Sequence, residues 1–198
     1  MKKTLFFLLF SIAVFKLSAQ NPTAEKHFTN LSKANDDATR IKYLYKIIYE
    51  TNSLSQQDRI DYSKKILDLS KKQDNKVMES IATAELGYLL AYNNMGPQGT
   101  ELAYNALEMG LKHGNKLALG IIYNDLGVCI NEPKKSLEHT LKTIAFSEGR
   151  DDLNTTYALI NAAQYYSMLE RKDSAMYYAN RDISWHSTRI CKWLYLIR

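Results

Sequence analysis

The chain has 198 residues, with 26 Lys and Arg against 21 Asp and Glu, three prolines, eight glycines and two cysteines. Two cysteines exclude a disulfide framework, and so few breakers leave room for long helices. The formal charge of +5 is not a property of the body. Lys2, Lys3 and Lys16 precede residue 20, and Arg189, Lys192 and Arg198 fall in the last ten residues, leaving 20 bases against 21 acids between 20 and 188. That balance argues against nucleic acid as a partner.

The chain opens on Lys2 and Lys3, followed by an unbroken apolar or small run from Leu5 to Phe15 and then Ser18-Ala19-Gln20. This is the layout of a secretory signal peptide covering residues 1–19, with cleavage expected after Ala19. The run is shorter than the roughly 20 apolar residues of a membrane span, and Lys16 interrupts it. The expected product is exported, periplasmic or secreted, with no membrane span in the mature chain.

From Ala24 onward, apolar residues recur at helical spacing between clusters of Asn, Asp, Gly and Ser. The pattern predicts helices over 36–51, 56–72, 76–93, 97–113, 116–130, 133–148, 151–169 and 172–185, with a weaker one before residue 35 and no strand. The expected class is all-α. Pro22, Pro97 and Pro133 all fall where a helix would begin.

The helices come in pairs that resemble one another. First helices read Thr83-x2-Leu86-Gly87-x2-Leu90, Tyr123-x2-Leu126-Gly127-x2-Ile130 and Leu159-x2-Ala162-Ala163-x2-Tyr166, with a weaker copy at Ile41-x2-Leu44-Tyr45-x2-Ile48. Second helices read Gly99-x3-Ala103-x2-Ala106, Ser136-x3-Thr140-x2-Thr143 and Ala175-x3-Ala179-x2-Asp182. Tyr45, Gly87, Gly127 and Ala163 are spaced by 42, 40 and 36 residues, a period of helical solenoids. Bulky residues make one apolar stripe, and the small residue in its middle lets the partner helix approach. Each hairpin alone has too little core and must pack on the next.

This pattern, over roughly residues 38–186, resembles the tetratricopeptide repeat family, whose signature runs W-x2-L-G-x2-Y, then A-x3-F, then P. Tyr123-Asn124-Asp125-Leu126-Gly127 and Asp173-Ser174-Ala175-Met176-Tyr177-Tyr178 carry it best; Asp182 departs from it, and the periods exceed the family's usual 34. The resemblance implies a right-handed solenoid of about four antiparallel helix pairs within residues 20–186. Its core would include Leu86, Gly87, Leu90, Tyr123, Leu126, Gly127, Ile130, Ala163, Tyr166 and Ala175. It also implies a concave wall from the first helices: Ala84, Tyr88 and Ala91, then Asn124, Val128 and Asn131, then Ile160, Gln164 and Ser167. Within that uncharged wall, Tyr88, Asn124, Asn131, Ile160 and Gln164 are the candidate contacts for a protein or peptide partner. Tyr43, Tyr123, Tyr166 and Tyr178 fall where such hairpins pack a ring between helices.

Nothing in the sequence carries catalysis or a cofactor. His-Glu-x-x-His, Cys-x-x-Cys and Gly-x-Ser-x-Gly are absent. Gly96-Pro97-Gln98-Gly99 lacks the Lys-Ser or Lys-Thr of a phosphate loop and reads as a hairpin turn. His27, His113, His139 and His186 are scattered, without metal-ligand spacing. Cys129 reads as a small core residue, and no pairing with Cys191 is expected. Lys64-Lys65 and Lys71-Lys72 are balanced by Asp58, Asp61, Asp68 and Asp74, the mixture of a solvated helix face.

The segment 187–198 ends on Trp193, Leu194, Tyr195, Leu196 and Ile197, where a repeat array normally carries a polar cap. Either this irregular tail docks on the last repeat or the chain is shortened from a longer protein; the liability of an exposed apolar tail favours shortening. The first functional expectation is a non-catalytic scaffold that holds a protein or peptide. The alternative, again from resemblance, is the N-terminal sensory part of a membrane-bound sensor kinase or transcription regulator.

Overall fold

The computed structural model describes residues 22–51, 54–147 and 153–181. The expected signal peptide, the tail after residue 186, Asp182, His186 and Cys191 lie outside these. Regular structure among the described residues is entirely α-helical. In chain order the helices are α1 Pro22–Ser32, α2 Asp37–Glu50, α3 Gln56–Lys72, α4 Lys76–Tyr92, α5 Gly96–His113, α6 Lys116–Cys129, α7 Pro133–Phe146 and α8 Leu153–Met168, then α9 over 172–181.

Local chemistry sets these boundaries. The side chains of Asp36, Asn75 and Asn115 accept hydrogen bonds from the N–H groups of Thr39, Met78 and Ala118 at 2.8, 3.1 and 3.0 Å, capping α2, α4 and α6. Pro97 and Pro133 sit in the first turns of α5 and α7. Three helices end alike. Asp74, Asn94 and Glu170 take left-handed φ values of 52°, 63° and 59°. The next N–H in each case donates to the carbonyl five residues back: Asn75 to Ser70, Met95 to Leu90 and Arg171 to Tyr166. This is the glycine-type helix stop built without glycine. The helix of α6 stops at Cys129, one residue short of the span read from sequence, and Ile130 is extended. Pro133 disfavours helical backbone in the residue before it, and the Ile130 carbonyl instead accepts from Ser136 Oγ at 2.8 Å.

The chain divides into two compact units, one up to Lys65 and one from Ile66. In the first, α1 packs on α2, and Ala24, His27, Ile41, Leu44, Ile47 and Ile48 are buried. His27 Nε2 meets Glu50 Oε2 at 2.7 Å, and Lys46 Nζ donates to Glu50 Oε1 at 3.0 Å. Burial pushes the Glu50 carboxyl up, but the hydrogen bonds from Lys46 and His27 outweigh it and hold it below the ordinary carboxylate value. A depressed carboxyl contributes stability above its unfolded pKa and loses it as pH falls through the folded one. The advantage of the wild type over Glu50→Gln in urea melts is therefore expected to vanish between about pH 5 and pH 3. With the Glu50 side chain 41% exposed, screening keeps that advantage under about 1 kcal/mol. An advantage persisting at the acidic end would contradict this assignment.

In the second unit α4 packs on α5 and α6, α5 on α6, α6 on α7 and α8, and α7 on α8. α4 and α6 thus each touch their own partner helix and the first helix of the next pair. Gly87 of α4 and Gly99 of α5 meet reciprocally. A Cβ on Gly99 would lie 2.5 Å from the Gly87 carbonyl oxygen, and one on Gly87 would lie 2.7 Å from the Gly99 oxygen. At Gly127 a Cβ would come within 3.3 Å of the Ser136 carbonyl oxygen on α7. Backbone approach as close as that between Gly87 and Gly99 leaves no room for a Cβ, whereas the contact at Gly127 is tight without excluding one.

Candidate partner-binding face

Burial along α4, α6 and α8 follows one register. Leu86, Leu126 and Ala162 are buried, as are Thr83, Tyr123 and Leu159 one turn earlier. Gly87 and Gly127 are buried, while Ala163 is half-buried; Leu90, Ile130, Tyr166 and Ala175 are half-buried too. Two apolar clusters fill the interhelical space. Leu126, Ala103 and Cys129 form one, with Tyr88, Ala91, Leu107 and Ile130 packed against it. Leu137 and Ile144 of α7 join Ala158, Leu159 and Ala162 of α8 in the other, with Tyr165, Tyr166 and Tyr178 against it. Rings pack beside these clusters: Tyr123 stacks on both His139 and Phe146, each centroid 5.7 Å away, and Tyr166 stacks on Tyr178 at 5.4 Å in the second.

Side chains of the expected wall fall into two groups. Ala84 is fully buried rather than exposed, because α6 packs on α4; it belongs to the seam between first helices. Asn124 is half-buried in the next seam, where its Oδ1 faces the Asn161 amide at 3.5 Å and its Nδ2 donates to Asp125 Oδ1 at 3.3 Å. Tyr88 and Ala91 are half-buried. The remainder are exposed: Val128, Asn131, Ile160, Gln164 and Ser167. Tyr92, one turn beyond Tyr88 with rings 6.2 Å apart, is 69% exposed and extends this surface. None of these exposed side chains is ionisable at neutral pH. The carboxylates on the same helices, Glu79, Glu85 and Asp125, are buried.

Two residues that the sequence pattern did not single out join the first helices. Besides Asn161, Tyr165 of α8 donates its phenol hydroxyl to the Gly127 carbonyl of α6 at 3.2 Å, and burial raises its pKa. The only signal in sequence was two tyrosines in a row, and the motif position fell on Tyr166. Tyr165→Phe keeps the ring but removes the donor, so it is expected to cost about 0.5–1.5 kcal/mol in denaturant unfolding. Tyr157→Phe, on the 51% exposed Tyr157 of the same helix, is expected to be silent. Equal effects would remove the inter-helix role assigned to Tyr165.

The titratable side chains read as structural. Burial, then the nearby Lys142 charge, lowers the His139 pKa below the ordinary imidazole value. His113 is exposed at the end of α5, and His27 is held by Glu50. Burial pushes the Cys129 thiol up to about 12, which leaves it a protonated core residue rather than a nucleophile. Among the described residues no three His, Cys, Asp or Glu side chains converge as metal ligands, and no helix is long and apolar enough to cross a membrane. Gly96 opens α5, and Gly99 packs on α4. This is an all-α protein, with α4 and α5 brought into close backbone contact at Gly87 and Gly99. No protein-family model matches the chain, and no curated protein matches it significantly.

Proposed function

We propose that residues 20–186 form a tetratricopeptide-like solenoid, exported from the cytoplasm, that binds a protein or peptide partner and catalyses no reaction. The observation that carries this reading is a group of exposed, uncharged side chains along and just after the first helices of the second unit. Val128, Asn131, Ile160, Gln164 and Tyr92 offer apolar area and amide groups there, above a core that buries the carboxylates of the same helices. Neutral amides pair with peptide N–H and C=O groups, and apolar and aromatic neighbours supply the area that binding needs. Such a surface suits an extended segment or a helix of a partner and gives no purchase to a carboxylate terminus or a polyanion. The common register of α4, α6 and α8 supports the repeat reading.

The test is affinity capture from an envelope extract with the mature chain as bait, beside a Val128→Lys, Asn131→Lys double variant. Both positions are exposed, so the variant should melt within about 0.5 kcal/mol of the wild type. The expected result is a partner retained by the wild type and lost from the variant. A partner retained equally by both would remove this face from the reading, and a captured nucleic acid would overturn it.

A further inference from the structure

His139 of α7 stands where rings from α5 and α6 converge. It lies on the side of α7 away from Leu137 and Ile144, which pack toward α8. Its Cβ is 3.5 Å from where a Cβ on Gly127 of α6 would be, so the absent side chain lets the imidazole lie close to that helix. The ring stacks on Tyr123 of α6 at 5.7 Å, with the planes 21° apart, and meets Tyr104 of α5 edge-on at 6.5 Å. His139 is half-buried, and its Nδ1 is buried with no hydrogen-bond partner. A neutral imidazole tolerates this, because Nδ1 can stay a bare acceptor while Nε2 carries the proton. An imidazolium carries hydrogen on both nitrogens, and a buried N–H without an acceptor costs free energy.

The surrounding charges add to that cost. Lys142, one turn further along α7, holds its Nζ 5.0 Å from the Tyr123 centroid. A protonated His139 would gain cation–π attraction from that ring, but only as a second cation beside the first. Burial and then Lys142 lower the His139 pKa, and the exposed Glu138 opposes them more weakly. From α5 and α6 the ring is faced by the uncharged phenols of Tyr104 and Tyr123. We propose that His139 is an acid-sensitive latch, which holds α7 against α5 and α6 when neutral and loosens α7 when protonated. A depressed imidazole binds its proton more readily in the unfolded chain. Its contribution is therefore full above the unfolded value of about pH 6.5, is lost as pH falls below it, and levels off under the folded value. This rests on packing within the second unit, not on partner binding.

Amide hydrogen exchange of α7 tests this in the full chain, between about pH 7.5 and about pH 5, with rates corrected for the intrinsic pH dependence of exchange. His139→Phe keeps a ring that cannot protonate, and His113→Gln alters the exposed imidazole at the end of α5. Expected is an α7 opening that rises about fivefold on acidification in the wild type and in His113→Gln, but less than about twofold in His139→Phe. His27 and Glu50 are intact in all three proteins, so their titration is common to them. If His139→Phe is already unfolded at neutral pH, His139→Gln, which also stays neutral, takes its place. An equal rise in the wild type and in the variant at position 139 would overturn the proposal. So would a wild type whose α7 exchange stays flat across the range.

Discussion

Gly99→Val is expected to destabilise the second unit by about 3 kcal/mol, at the upper end of the range for overpacking. The new Cβ would sit 2.5 Å from the Gly87 carbonyl oxygen, 2.6 Å from the Ala91 amide nitrogen and 2.9 Å from the Ala91 Cβ. Two of those three atoms are backbone, so relief requires α4 and α5 to separate, not a side chain to rotate. Separation would also loosen the cluster that holds Ala103, Leu126 and Cys129. Against a total stability of about 5–15 kcal/mol, the thermal midpoint should drop by roughly 6–12 °C. Gly96→Ala, three residues earlier, has nothing within 4 Å of its new methyl group and should be neutral or slightly stabilising, by about 0.5 kcal/mol. Equal melting of the two variants would mean that the Gly87–Gly99 approach is not a constraint.

Leu126→Ala is expected to cost about 2–5 kcal/mol, the range for emptying a buried leucine site. The upper half is favoured by its surroundings. Leu126 is fully buried, and its neighbours include Ala103 of α5, a helix held against α4 at the Gly87–Gly99 crossing. Small residues on fixed backbone cannot move in to fill the cavity. Val128→Ala, two positions along on the exposed side of α6, should change stability by less than about 0.5 kcal/mol. Chemical denaturation of both variants gives the comparison. A loss below half a kilocalorie at Leu126 would place it outside the core and move the register of every first helix.

A forty-residue spacing of buried positions reaches a stretch that the motif did not cover. Ser63, Ile66 and Ser70 are buried along α3, forty residues before the buried Ala103, Ala106 and Gly110 of α5. The sequence pattern passed over that stretch because Arg59 and Ile66 stand where the other second helices carry small residues such as Gly99 and Ala106. Burial depends on what the facing helix presents, and that cannot be read along one strand of sequence.

Helix positions, by contrast, were readable almost throughout. The 3.6-residue apolar period, the Asn and Asp caps and the prolines at helix starts are local, and they place α2 to α7 within a residue or two of where they stand. The small residues at Gly87 and Gly127 were readable as sites of close approach, since a missing side chain amid a bulky stripe has few other uses. What tertiary structure alone decided was which outward positions stay open. Ala84 and Asn124 follow the same spacing as Ile160, yet α6 covers the first, α8 holds the amide of the second, and the third is left exposed. Periodicity determines the face of a helix on which a side chain lies; only the packing of the neighbouring helix determines whether that face meets solvent, and it differs from one repeat to the next.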